Sequence, residues 1–348
     1  MEIQSATKKY FVKFENSLDF IKDLIELNNT LYVIGHNVYR LYRTYFKNIP
    51  EDKLFIFEAT EENKTIQKAL EICEKMTNIP AKRNARIVSF GGGITQDVTG
   101  FAANIIYRGI KWIFVPTTLL SACDSCIGGK TSLNYNSFKN LLGTFYPPDE
   151  IIICSEFFDT LSEKDFNSGL GEVVKFNIMR GPERIDIIEE DLNKVLQRDK
   201  KIIDEYVKNS LVYKKIFIEK DEFDKGERIK LNFAHTFGHA IEVVTDYEVP
   251  HGTAVVMGMI MANNVSLNRG LINKQFVDKC DAILKRIIDI GSVFDEIDFK
   301  QFINAMHKDK KQIDSNINAV LLTNDGLLRV NDLTEQEILT AIRHYRMI

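Results

Sequence analysis

Three of the chain's six histidines fall within residues 228–252, R-I-K-L-N-F-A-H-T-F-G-H-A-I-E-V-V-T-D-Y-E-V-P-H-G. His235 and His239 are four apart, so a helix puts them on one face. His251 follows a proline, at a loop or at the start of the next helix. Arg228, Lys230 and Asn232 stand just upstream. Imidazoles that can converge beside cationic groups suit a metal site that handles an anionic substrate. An H-x-x-x-H pair is also an ordinary helix feature. This one is not the zincin motif, because Thr236 stands where the glutamate would be.

Glu172 and Lys175 lie one turn apart in G-L-G-E-V-V-K, residues 169–175. On an exposed helix face such a pair contributes only about 0.3 kcal/mol. Val173, Val174 and Phe176 surround it, which argues that it points inward. A carboxylate facing His235 and His251 would complete a three-ligand zinc site with an open position.

A second group of residues suits phosphate. Gly91-Gly92-Gly93-Ile94-Thr95-Gln96-Asp97 ends a strand and opens a helix. Glycines there let backbone N–H groups approach a phosphate, and the helix N-terminus attracts it. Gln96 occupies the third glycine position of the usual dinucleotide fingerprint. A tight turn is the alternative use of these glycines. Gly128-Gly129-Lys130-Thr131 imitates the end of a P-loop, but Asp124 stands where that motif opens with glycine. Pro116, Thr117, Thr118, Asp124, Lys130, Asn134, Lys139 and Asn140 recur among small and apolar residues. That density suits a phosphorylated, polyhydroxylated ligand better than a solvated loop. Cys123 and Cys126 form C-x-x-C without the aromatic-flanked turn of a redox site.

The elements that must position these groups fall into two sets. Strand signals at 11–14, 31–34, 54–57, 86–90 and 112–115 alternate with helix signals at 17–25, 37–46, 66–76 and 96–107. That alternation predicts a parallel α/β sheet. Beyond residue 159, amphipathic stretches at 163–179, 182–197, 202–219, 231–245, 252–267, 274–290 and 298–307 predict a mostly helical second domain. A hairpin is expected at 319–323 and 326–330, turned at Asn324-Asp325. A last helix follows the capping box Thr334-Glu335-Gln336-Glu337. The expected domains are therefore residues 1–159 and 160–348.

Length and composition agree. The 348 residues, 45% of them hydrophobic, suffice for two cores. A net charge of -4 gives no general attraction to nucleic acid or anionic membrane. The N-terminus lacks an apolar signal core, and the apolar run 254–262 is far shorter than a membrane span. Five cysteines without a framework spacing fit a reducing cytoplasm.

Taken in order, ten segments resemble the 3-dehydroquinate synthase family of sugar-phosphate cyclases. They are G-G-G-I-T-Q-D-V-T-G-F, R-G-I, V-P-T-T-L-L, D-S-C-I-G-G-K-T, F-K-N-L-L-G-T-F-Y-P-P, G-L-G-E-V-V-K, K-D-E-F-D-K-G-E-R, L-N-F-A-H-T-F-G-H-A-I-E, H-G-T-A-V and M-H-K-D-K-K. Each is weak alone; the ordered set is specific.

The resemblance implies a dimeric, cytoplasmic enzyme with an NAD-binding α/β domain and a helical metal-binding domain, NAD and a divalent metal lying between them. Zinc is the expected ion, with cobalt as a substitute. Glu172, His235 and His251 match the metal ligands, and His239 a catalytic histidine. Asn37, Glu61, Lys64, Gly92, Gly93, Asp97, Thr117, Thr118, Lys139 and Thr160 match NAD-contacting positions. Asp124, Lys175 and Asn232 match groups that hold substrate hydroxyls. Lys130, Asn140, Arg108 and Lys310 match the phosphate pocket, Arg108 reaching across the dimer. Lys214 and Arg228 match the clamp on the substrate carboxylate. The implied reaction converts a seven-carbon keto-sugar acid phosphate to 3-dehydroquinate by oxidation, phosphate elimination, reduction and aldol closure. Gln96, Thr99, Ser132, Phe138, Gly171, Ala234 and Thr253 depart from the family's usual residues, and Gly35 replaces an acidic ribose contact. These departures leave open a sibling cyclase acting on another heptulose or hexose phosphate. A polyol dehydrogenase shares the general architecture but has no use for a phosphate-departure pocket.

Overall fold

The structure is a computed structural model that describes every residue except 81, 83, 137, 182, 289–297 and 309–315. Two compact units are present. Unit 1 is Met1–Leu161 with Ile218–Phe223; unit 2 is Ser162–Phe217 with Asp224–Ile348.

Unit 1 is built on a seven-stranded sheet in the order β1-β2-β9-β6-β5-β3-β4. Its strands are β1 (Glu2–Gln4), β2 (Lys9–Phe14), β3 (Thr30–Gly35), β4 (Leu54–Phe57), β5 (Arg86–Gly91), β6 (Lys111–Pro116) and β9 (Glu150–Ile153). All neighbours pair parallel except β1 and β2, which are antiparallel. β3 is buried at every position. Continuous apolar runs of this kind mark strands covered on both faces. The covering and connecting helices are α1 (Phe20–Leu24), α2 (His36–Leu41), α3 (Arg43–Phe46), α4 (Ile66–Thr77) and α5 (Gly93–Ile105). Trp112, Phe114, Phe90 and Ile87 lie at the sheet's centre, almost fully buried.

Four strands of this unit have no counterpart in the sequence reading: β1, β9 and the two of a separate hairpin. A hairpin, β7 (Lys130–Tyr135) with β8 (Phe138–Phe145), forms its own two-stranded sheet. The strand β9 then inserts between β2 and β6. Alternation in the hairpin is half-exposed, so no apolar run announces it.

Unit 2 is helical: α6 (Glu163–Ile178), α7 (Glu183–Leu196), α8 (Lys200–Lys220), α9 (His235–Val244), α10 (His251–Asn268), α11 (Lys274–Ile287), α12 (Phe299–His307) and α13 (Glu335–Met347). The last turn of α8 clusters with unit 1. The hairpin of β10 (Ile317–Thr323) and β11 (Gly326–Leu333) turns at Asn324-Asp325 as expected. Thr334 and Glu337 complete the capping box of α13. The expected helix at 231–245 is shorter, because Glu227–Asn232 forms a 3-10 turn and Ala234 adopts a left-handed conformation, φ 68°, before α9 starts. α10 is buried nearly all round, so it is the core helix of this unit. No helix among the described residues is long and apolar enough to cross a membrane.

Candidate active site

Three helices of unit 2 bring the first group together. α6 carries Glu172 and Lys175, α9 carries His235 and His239, and α10 begins at His251. Glycines set the spacing. A Cβ on Gly171 would run into the carbonyl oxygen of Gly252, and a Cβ on Gly252 into that of Ser168. The Gly252 N–H also donates to Ser168 Oγ at 3.1 Å. α6 and α10 therefore touch backbone to backbone, which sets Glu172, next to Gly171, beside His251, next to Gly252. Gly238 and Gly258 do the same for α9 and α10. A Cβ on Gly258 would meet the Ala234 carbonyl, and one on Gly238 would lie 3.2 Å from the Ala254 oxygen.

The side chains converge inside that frame. Glu172 is 0% exposed and Lys175 2%, and their ion pair measures 2.6 Å. Lys175 also donates to the Leu231 carbonyl at 3.2 Å and lies over the Phe176 ring. The pair points inward, where an unaccompanied carboxylate would be costly. His235 Nδ1 lies 3.0 Å from the Phe233 carbonyl, which can only accept, so Nδ1 carries the proton. Nε2 of the same ring is 3.5 Å from Glu172 Oε1. His251 is arranged alike: Nδ1 is 3.1 Å from Glu242 Oε2, and Nε2 is 3.6 Å from Glu172 Oε1.

Both imidazoles thus present Nε2 to one buried carboxylate oxygen. Donor atoms of Glu172, His235 and His251 lie within 4.8 Å of one another. Two imidazole nitrogens and one carboxylate fit a zinc-type cation with an open position. Burial pushes the His251 imidazolium down, but the neighbouring Glu172 and Glu242 carboxylates outweigh it and raise its pKa. His239 sits half-buried one turn along α9, its ring 5.4 Å from that of His235 and 6.0 Å from that of His251. Glu242 is the residue that sequence reading missed. Its only signal is its place two turns after His235 and three residues after His239, on the same helix face.

Lys214 on α8 and Arg228 in the 3-10 turn are both buried cations of unit 2. Asn232 ends the same turn, half-buried. Lys310 lies outside the described residues.

The second group belongs to unit 1. Gly91–Gly93 close β5 and open α5, whose N-cap, Gly92, has no side-chain cap. None of the three needs a positive φ. Close packing explains the first two: a Cβ on Gly91 would strike Thr95, and one on Gly92 would lie 3.1 Å from Thr118 Cγ2. A Cβ on Gly93 would meet nothing nearer than Ser125 Oγ at 3.9 Å, so its front is open. Thr117 donates its N–H to the Gly91 carbonyl at 2.9 Å, which brings the Thr117-Thr118 corner to the glycines. Gln96 and Ser125 exchange hydrogen bonds of 2.7 Å and hold the turn that carries Asp124.

Lys64 is buried and joins Asp97 Oδ2 at 2.5 Å and Asn140 Oδ1 at 2.6 Å. Ser132 Oγ donates to Asp97 and Asn140, and Asn134 donates to Glu61. Burial pushes the Asp97 carboxyl up, against the pull of Lys64 and Ser132. Asn140, expected in the phosphate pocket, is thereby drawn into the group expected to contact NAD. Lys130 opens β7 and is exposed, and Lys139 on β8 is half-buried. Asn37 is exposed at the start of α2. Thr160 is exposed and shares a 2.9 Å hydrogen bond with Tyr42 Oη. Arg108 is exposed in a left-handed turn, φ 65°, beside Tyr107 at φ 49°. The Cys123 and Cys126 thiols are buried and donate to the Leu120 and Ala122 carbonyls at 3.5 and 3.3 Å.

Residues 54–168 match the family description "3-dehydroquinate synthase N-terminal", and residues 169–312 match "3-dehydroquinate synthase C-terminal". The chain belongs to the 3-dehydroquinate synthase family. It is 34% identical over 348 residues to 3-dehydroquinate synthase of Dictyoglomus turgidum, covering 99% of this chain and 97% of that one. It is 36% identical to the Clostridium tetani 3-dehydroquinate synthase, covering 96% and 92%. In fold it is similar to 2-epi-5-epi-valiolone synthase from Streptomyces hygroscopicus, solved with NAD+ and Zn2+ bound. That likeness has a TM-score of 0.85 at 23% identity and covers 99% of each chain. The C-terminal family match contains Glu172, Lys175, Lys214, Arg228 and all three histidines of the cluster; the N-terminal match contains the glycine turn and the Lys64 network.

Proposed function

We propose that this enzyme closes 3-deoxy-D-arabino-heptulosonate 7-phosphate to 3-dehydroquinate with loss of phosphate, a carbon–oxygen lyase reaction of aromatic biosynthesis. The observation that carries the reading is the buried Glu172 oxygen facing Nε2 of both His235 and His251. The reading assigns unit 1 to NAD and unit 2 to the metal and most of the substrate. When bound, a zinc-class ion held by Glu172, His235 and His251 supplies Lewis-acid polarisation of a substrate hydroxyl, and NAD supplies a hydride acceptor that is regenerated.

The chain's own residues do the rest. Gly92, Gly93 and the uncapped N-terminus of α5 offer N–H groups to the dinucleotide pyrophosphate. Asp97, Lys64, Glu61, Thr117, Thr118, Lys139, Asn37 and Thr160 shape the remainder of that site. Lys175 balances the Glu172 charge and, with Asp124 and Asn232, orients substrate hydroxyls. His239 stands beside the cluster without joining its first donor set and moves protons. Lys130, Asn140, Arg108 and Lys310 receive the phosphate and stabilise its departure. Arg108, exposed on its turn, acts across a homodimer.

Lys214 and Arg228 favour the acid substrate. Both are buried cations of unit 2 at the positions that match the family's carboxylate clamp, and a planar carboxylate suits such a pair. The test is a substrate panel given with NAD+ and Zn2+: the heptulosonate phosphate against heptulose and hexose phosphates that lack a carboxylate, with products identified. Dehydroquinate from the acid alone supports the reading. A cyclic product from a sugar phosphate without a carboxylate, and from that alone, establishes a sibling cyclase instead.

A further inference from the structure

Nothing in the ligand set explains why the His251 ring holds its orientation. His251 is the first residue of α10, follows Pro250, and its side chain is about a third exposed. Its ring lies 5.3 Å from that of His235 and 6.0 Å from that of His239, contacts that leave the choice of which nitrogen faces Glu172 to a polar partner. Its Nδ1 lies 3.1 Å from Glu242 Oε2. That carboxylate is only 15% exposed. It projects from α9, the helix that also carries His235.

We propose that Glu242 is the positioning residue for His251. It accepts the Nδ1 proton, locks the tautomer, and turns Nε2 toward Glu172. The role rests on the metal reading above. His235 receives the same service from the backbone carbonyl of Phe233. One helix therefore holds one ligand itself and aims the other, so both follow any shift of α9. Outer partners of metal-bound histidine typically change metal affinity 10- to 100-fold.

A competing assignment is visible in the same residues. His239, Glu242 and His251 also place donor atoms within 4.8 Å of one another, so Glu242 could itself ligate a second ion. The two roles are exclusive at His251 Nδ1, because a proton and a cation cannot share that lone pair. The Glu242 hydrogen bond favours the proton.

The experiment is metal titration of the full chain, free of substrate, using Zn2+ against a chromophoric chelator and Co2+ for its absorption bands. The expected result is one equivalent bound by the wild type and one by Glu242→Ala, the latter 10- to 100-fold more weakly. The Co2+ band pattern stays that of the wild type, and Glu242→Gln, which keeps an acceptor oxygen, recovers most of the affinity. Equal melting temperatures of the metal-free proteins separate positioning from unfolding. Equal Zn2+ affinity in Glu242→Ala overturns the proposal and leaves the metal site standing. Two equivalents in the wild type and one in Glu242→Ala overturn it in favour of a second ion. A wild type that binds no metal removes the reading beneath it as well.

Discussion

Gly171 and Gly252 meet across α6 and α10 with no room for a methyl group on either. Each sits next to a proposed ligand, Glu172 and His251. Small residues here act through the backbone approach they permit, and that approach brings two side chains from distant parts of the chain to one point.

Gly252→Ala should therefore cost about 2–3 kcal/mol, because the Ser168 carbonyl it would strike belongs to a helix and cannot swing away. It should also weaken zinc binding, since Glu172 and His251 separate when α6 and α10 part. Thermal melting and chelator competition measure the two effects. A stable variant with unchanged zinc affinity contradicts this account of the spacing.

Lys64 bridges Asp97 and Asn140 inside unit 1. Lys64→Met removes the cation and leaves a buried carboxylate, at a cost of about 3 kcal/mol. Calorimetry should show that loss together with weaker NAD+ binding. Double replacement with Asp97→Asn should restore part of the stability but not the NAD+ affinity.

Much of this was legible in the sequence. The apolar strand runs, Leu31–Ile34 above all, mark the sheet because central parallel strands are buried on both faces. The spacing of His235 and His239 marks a helix face. The hairpin of β7 and β8 was not legible, because its half-exposed residues form no apolar run and read as a ligand pocket rather than as strands. Nor was the partnership of Asn140 with Lys64, which depends on that hairpin folding back. Glu242 was hidden for another reason: a glutamate on an amphipathic helix looks like solvent-facing charge until the start of α10 is laid against it.

Ala234 precedes α9 at φ 68°, a conformation costing a β-carbon roughly 1–2 kcal/mol. Ala234→Gly relieves that strain but gives the unfolded chain more freedom. The expected net gain is about 0.5 kcal/mol, read as a small rise in denaturant midpoint with unchanged slope. A loss of stability would show that the alanine methyl packs usefully.

Glu337 pairs with Arg269 through contacts of 2.6 and 2.9 Å and closes the capping box of α13. The Arg269 hydrogen bonds, with help from Thr334, hold its carboxyl down at about 2. A depressed carboxylate pKa stabilises the fold above the ordinary value near 4.5 and ceases to do so as pH falls toward 2. After allowing for solvent screening, Glu337→Gln should cost about 1 kcal/mol at pH 7. Denaturation across pH 2–7 should show the gap closing below about pH 4.5. A gap that is constant with pH contradicts the ionic origin.

The central claim is a cyclase that borrows a hydride and returns it. The most direct measurement follows phosphate, 3-dehydroquinate and the NADH absorbance together while the zinc-loaded chain turns over the heptulosonate phosphate with NAD+. The account predicts phosphate and dehydroquinate in equal amounts, many per enzyme, with no NADH accumulating beyond the enzyme concentration. NADH rising in step with turnover, or phosphate released without dehydroquinate, would contradict it.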